Sequence, residues 1–115
     1  MRRGEIRLVD LELVRGAESD KRRPAVIVSN DGANLAAARL GRGVVTVVPV
    51  TSAVARVYPF QVLLRASDTG LDTDSKAQAE QVRAVAVERL GVSIGVLPPA
   101  LMADLDDALR LHLAL

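Results

Sequence analysis

The sequence contains no cysteine. That excludes a disulfide framework and any thiolate metal site. It suits a reducing compartment, and a cytoplasmic location is the expectation. His112 is the only histidine. A histidine-based zinc site would lack ligands, and a Ser-His-Asp triad would have to be built on that single ring. Neither metal nor cofactor is expected. Tyr58 and Phe60 are the only aromatic residues, so the core must be aliphatic. Long apolar runs are missing too. The strand-like uncharged stretch "GVVTVVPVTSAVA", from Gly43 to Ala55, is too short to span a bilayer and is interrupted by Pro49. The opening "MRRGEIRLVDL" carries charges where a secretory signal would need its apolar core. A soluble chain with no membrane partner is expected.

What is present fits one domain over residues 1–115, large enough to bury about two-thirds of its unfolded surface. Half of the residues are apolar, which argues against disorder. The net charge is only +1, but 13 of the 15 basic residues are arginine. A planar guanidinium fork suits bidentate phosphate contacts better than the point charge of lysine. High-GC codon usage gives the same enrichment with no function attached, and both readings stand.

Strand character dominates the first four-fifths. "EIRLVDLEL", Glu5 to Leu13, alternates with period two, and Val9 and Asp10 shift its phase. "RGAESDKRR", Arg15 to Arg23, reads as a polar loop. "PAVIVS", Pro24 to Ser29, is a β-branched run expected to be covered on both faces, with Pro24 tolerated as the first residue of the strand. "NDGANLAAARLGRG" reads as a turn and a short helix, with Asn34 as N-cap and Gly41 as the stop. "VVTVVPVT", Val44 to Thr51, is the strongest strand; "FQVLLRA", Phe60 to Ala66, is another, and "ASDTGLDTDS" is turn chemistry. "SKAQAEQVRAVAVERLG", Ser75 to Gly91, permits either a helix or a pair of strands. In "PPALMADLDDALRLHLAL", Leu101, Leu105, Ala108, Leu109 and His112 fall at helical spacing behind two prolines that suit a helix entry. The expected fold is mainly β: a small, twisted antiparallel barrel-like sheet with a short inserted helix and a C-terminal amphipathic helix.

These segments, in this order, resemble the MazF/PemK family of toxin endoribonucleases from type II toxin–antitoxin systems. The pieces that carry the resemblance are "GEIRLVDL", "RGAE", "KRRPAVIVSND", "VVPVTS", "PFQVLL", "DTDSKAQAEQVRAV" and "ERLG", running from about Gly4 to Leu113. Position 7 is Arg where many members have an aromatic residue, and position 73 is Thr where some have a second arginine. The resemblance implies an SH3-like barrel, a homodimer, and metal-independent, sequence-specific cleavage of single-stranded RNA. It also implies a cognate antitoxin whose acidic, partly disordered tail occupies the RNA groove.

Cleavage of that kind uses the substrate's own 2′-hydroxyl as nucleophile. The protein must stabilise a doubly negative phosphorane and help two protons move. The resemblance puts Arg23 at the cleaved phosphate, where its fork offers five donors; preceding Pro24, its backbone is expected to be extended. It puts Thr51 beside that arginine, with Ser52 as a second hydroxyl. From spacing alone, "KRR" reads rather as a solvated loop end and Thr51 as a turn hydroxyl. Guanidinium groups hold their protons, so a base must come from elsewhere. Asp74, in "DTDS", matches a carboxylate implicated in some members, and Glu18, in "RGAE", is the other candidate. Glu80 and Gln81 correspond to an acidic–amide pair that either reads a base edge or ties the sheet together. Arg83 either contacts phosphate or partners Glu80. His112 reads as a packed or interfacial ring. Arg15, Lys21, Arg22 and Arg56 are the expected phosphate tethers. Tyr58 and Phe60, with arginine planes, are the expected stacking groups for bases. Two alternatives stay open: a non-catalytic small barrel that binds nucleic acid or an acidic peptide, and a gyrase-inhibiting toxin relative.

Overall fold

The computed structural model describes residues 1–11 and 22–115. In chain order these form β1 (Glu5–Asp10), β2 (Arg22–Ile27), α1 (Asp31–Leu40), β3 (Val44–Thr51), β4 (Gln61–Leu64), α2 (Ala66–Thr69), β5 (Ser75–Gln78), β6 (Arg83–Ala86), β7 (Leu90–Val96) and α3 (Pro99–Leu113). Short 3-10 turns, Ala79–Gln81 and Val87–Arg89, join β5 to β6 and β6 to β7. All strand pairings are antiparallel, in the order β4-β5-β3-β2-β1-β7, with β6 also on β3. The expected mainly-β fold with an inserted helix and a C-terminal helix is what the chain adopts. Among the described residues β4 and β7 end the strand order without pairing to each other, so the sheet stays open.

Period two explains how this sheet acquires two cores. Even-numbered side chains of β1 to β3, among them Ile6, Val26, Val28, Val48 and Val50, pack with Val62, Leu64, Leu105 and Ala108 on the α3 side. Odd-numbered ones, Val9, Ala25, Ile27, Val45 and Val47, pack with Val85 and with Ala37 of α1. Hence "PAVIV" is apolar at every position: both faces are covered. The same logic explains the phase shift in β1, where Ile6 and Val9 serve opposite faces.

The helices differ from expectation at their ends. Asn30, not Asn34, caps α1; its side-chain oxygen accepts the Ala33 N–H at 2.8 Å. Asn34 is instead fully buried, and its amide donates to the Ser29 carbonyl at 2.8 Å. Gly41 ends the helix in the left-handed conformation as predicted, φ 66°. Pro98 and Pro99 open α3. His112 is exposed in its last turn, so the packed-ring reading is corrected. The ambiguous stretch from Ser75 to Gly91 resolves as strands rather than helix. Pro24 is the third residue of β2, not the first. No helix among the described residues is long and apolar enough to cross a membrane.

The N-terminus is pinned to α1 and α3. The Arg3 N–H donates to Asp31 Oδ1 at 2.7 Å, Arg3 Nε to the Val28 carbonyl at 2.8 Å, and Arg3 Nη2 pairs with Asp106 at 2.6 Å. The Arg3 backbone N–H holds the Asp31 carboxyl below its ordinary range, helped by the Asn34 side chain and the Arg2 and Arg3 charges against a desolvation cost.

Candidate functional site

The site lies where β2 and β3 separate. Their register runs Ile27↔Val47, Val26↔Val48 and Ala25↔Pro49, and there the pairing stops. Continued by two residues, the same register sets Arg23 opposite Thr51. Pro24 and Pro49 fall at the split, and a proline cannot donate to a ladder. Beyond it β3 changes neighbour: Val50 and Thr51 pair with Ala77 and Lys76 of β5. The divergence opens a cavity of about 370 Å³, lined by Leu11, Arg23, Pro24, Pro49, Val50, Thr51, Ser52, Ser75 and Gln78.

Arg23, Thr51 and Ser52 are therefore brought together on one open cavity. Arg23 is exposed, and its Nη1 donates to the neighbouring Arg22 carbonyl at 3.2 Å, leaving most of the fork for a ligand. Thr51 is half-buried, and its Oγ1 accepts the Ala53 N–H at 3.2 Å. This turn bond uses an oxygen lone pair, so the hydroxyl proton stays available for donation. The bland and the functional readings of Thr51 are thus compatible.

Other sequence candidates fall elsewhere. Asp74 is exposed and accepts the Ala66 N–H at 2.8 Å, fixing the start of α2; it does not line the cavity. Glu80 Oε2 accepts from Gln61 Nε2 at 2.7 Å, and Gln81 is exposed outside the cavity lining. The Glu80 carboxylate thus ties the 3-10 turn after β5 to β4. Arg83 Nη1 donates to the Leu11 carbonyl at 3.1 Å, while Glu80 Oε2 is taken by Gln61. Arg22 is exposed, pairs with Asp10 in the β1–β2 ladder, and flanks Arg23. Arg56 and Tyr58 form an exposed pair, Nη1 to phenol oxygen 3.2 Å. Arg15, Glu18 and Lys21 lie outside the described residues.

Sequence reasoning missed Ser75 and Gln78 as lining residues. Both belong to β5, which only the β3–β5 pairing carries to the cavity. The signal was present in "DSKAQ" but needed the strand reading of that stretch.

The chain is similar to several known proteins. Over its whole length the chain is 64% identical to 98% of a protein named Endoribonuclease MazF9 from Mycobacterium tuberculosis (strain ATCC 25618 / H37Rv). It is 32% identical, again over its whole length, to 92% of Endoribonuclease MazF from Staphylococcus epidermidis. Among solved structures, a mycobacterial endoribonuclease in complex with its cognate antitoxin superposes with TM-score 0.78 at 27% identity, covering 100% of this chain and 96% of that one. Residues 2–113 match the family described as PemK-like, MazF-like toxin of type II toxin–antitoxin system, and the chain belongs to that family.

Proposed function

We propose that this protein is an endoribonuclease toxin that cleaves single-stranded RNA within short recognition sequences, without a metal. The observation that carries the proposal is the convergence of Arg23 and Thr51 on one solvent-open cavity. The relatives named endoribonucleases and the fold shared with an antitoxin-bound enzyme support it.

The reaction is an in-line transfer. The 2′-oxygen of the substrate attacks the adjacent phosphorus as its proton leaves to a base. The P–O5′ bond breaks, and the 5′-oxygen takes up a proton. The products are a 2′,3′-cyclic phosphate and a 5′-hydroxyl end. Arg23 donates to the non-bridging oxygens as negative charge builds on them, and Thr51 Oγ1 donates to one of the same oxygens from the facing strand. Ser52 is a further donor at the rim. Holding the nucleotide against β2 and β3, elements fixed by two cores, supplies orientation. The Asp74 carboxylate is engaged at α2, so Glu18 is the carboxylate to test as base.

Arg22 and Arg56, with Arg15 and Lys21, tether phosphates on either side. Each neutralised phosphate on a single strand steepens the log–log salt dependence by about 0.7. The chain works as a cytoplasmic homodimer. A cognate antitoxin with an acidic, partly disordered tail meets the same arginines when RNA is absent.

The test is incubation of the purified protein with a mixed RNA pool in EDTA, followed by sequencing of new 5′ ends. Discrete 5′-hydroxyl ends at one short motif are expected. Intact RNA at high enzyme and low salt would instead identify a non-catalytic binding module.

A further inference from the structure

The segment between Thr51 and Gln61 holds both aromatic rings of the protein. It is tied to the sheet by contacts that cleavage chemistry does not use. Lys76 lies opposite Thr51 in the β3–β5 register and beside Ser75, which lines the cavity. Its exposure is only 8%. A buried ammonium must find partners, and this one finds them in the segment. Lys76 Nζ donates to the Arg56 carbonyl at 2.6 Å and sits 5.9 Å from the centroid of the Tyr58 ring. Gln61 secures the other end: its Oε1 accepts the Tyr58 N–H at 3.1 Å, while its Nε2 is held by Glu80.

The outcome is a shelf of two parallel rings with a guanidinium beside them. Tyr58 lies parallel to Phe60, with 5.3 Å between centroids and 3° between planes. The Arg56 guanidinium carbon stands 5.6 Å from the Tyr58 centroid. Tyr58 nevertheless remains 41% exposed, and Arg56 is exposed as well. A planar cation beside a partly exposed ring, itself parallel to a second ring, is chemistry suited to a nucleobase. Every base has a π-face, and both arginine planes and aromatic rings stack on it. Ser52, on the cavity, begins the same segment, so the shelf adjoins the cleavage site along the chain.

Resting on the nuclease reading above, we propose that Lys76 is a positioning residue that holds Arg56 and Tyr58 as a stacking site for a nucleobase flanking the scissile phosphate. Contacts of this kind form in the bound substrate and persist in the transition state, so they act on affinity rather than on the chemical step.

The protein supplies its own probe. Tyr58 is the only tyrosine and there is no tryptophan, so near-ultraviolet emission reports on that ring alone. The intact protein is titrated with short random-sequence single-stranded RNA made non-cleavable by 2′-O-methyl groups. Cutting of one defined transcript is followed in parallel under single-turnover conditions. Saturable quenching of Tyr58 is expected. Lys76→Met should make Tyr58 more accessible to acrylamide in the free protein and raise the half-saturating concentration for cutting about tenfold, with the maximal rate unchanged within about twofold. Tyr58→Leu, at an exposed position, should raise it similarly, and it decides the matter alone if Lys76→Met does not fold. The proposal is overturned if RNA is cut while Tyr58 emission is unaffected, or if these variants saturate like the parent. If the parent titrates by emission but cuts nothing, the nuclease reading fails and the base-binding shelf survives.

Discussion

At the residue scale, Thr51 combines two duties that substitution separates. Its oxygen closes a turn by accepting the Ala53 N–H, and its proton is free for a phosphate oxygen. Thr51→Val loses both, and single-turnover cutting should slow about a hundredfold, the scale of one lost charge-stabilising donor. Thr51→Ser keeps the hydroxyl and should stay within about tenfold of the parent. Asp74 makes the opposite case. Its carboxylate accepts the Ala66 N–H, so Asp74→Ala should lower stability by about 1 kcal/mol, as loss of a capping acceptor does, and leave the cutting rate unchanged. A large rate loss with an unchanged melting temperature would return Asp74 to the chemistry. The sequence could not separate these two roles. A hydroxyl at the end of a strand and a carboxylate in a turn look alike until strand register shows which of them faces the cavity.

At the scale of elements, the strands beside the site were readable because both their faces are buried. An unbroken apolar run such as "AVIV", buried at every position, has no reason to exist on a half-solvated sheet. The stretch from Ser75 to Gly91 was not readable in the same way. Its alanines and glutamines suit a helix, and only pairing with β3 and β4 turns "SKAQ" into a strand. The α1 cap was misplaced by four positions because Asn30 and Asn34 both precede alanine-rich turns, and burial of Asn34 beside Ser29 decides between them. One contact between elements has a sharp consequence. A Cβ at Gly95 of β7 would lie 2.1 Å from the Thr69 carbonyl oxygen at the end of α2. Backbone cannot yield there as a flexible side chain would. Gly95→Ala should cost about 3 kcal/mol in denaturant unfolding, within the range for an overpacked core position. A change below about 0.5 kcal/mol would show that α2 and β7 are not held together as described.

At the scale of the whole molecule, the segment before β1 is fastened to α1 through Asp31, whose folded-state carboxyl titrates below its ordinary range. A group depressed in this way contributes stability above its unfolded value, about 3.9, and that contribution disappears as pH falls through the lower folded value. The melting temperature of Asp31→Asn should therefore lie below that of the parent near neutral pH, and the two should converge in acid below about pH 4. A gap that persists in strong acid would contradict the assignment. Several large apolar side chains remain exposed, including Val92 and Val96 on β7 and Leu111, Leu113 and Leu115 at the C-terminus. They offer the proposed homodimer apolar surface away from the cavity lining. The central claim is narrower than the assembly: one guanidinium on β2 and one hydroxyl on β3 act on the same phosphodiester. Arg23→Ala tests it most directly, with cutting rate and RNA affinity measured on the same transcript in EDTA. The account predicts a rate at least about a thousandfold lower with affinity changed less than about tenfold, and cutting at the parental rate would contradict it.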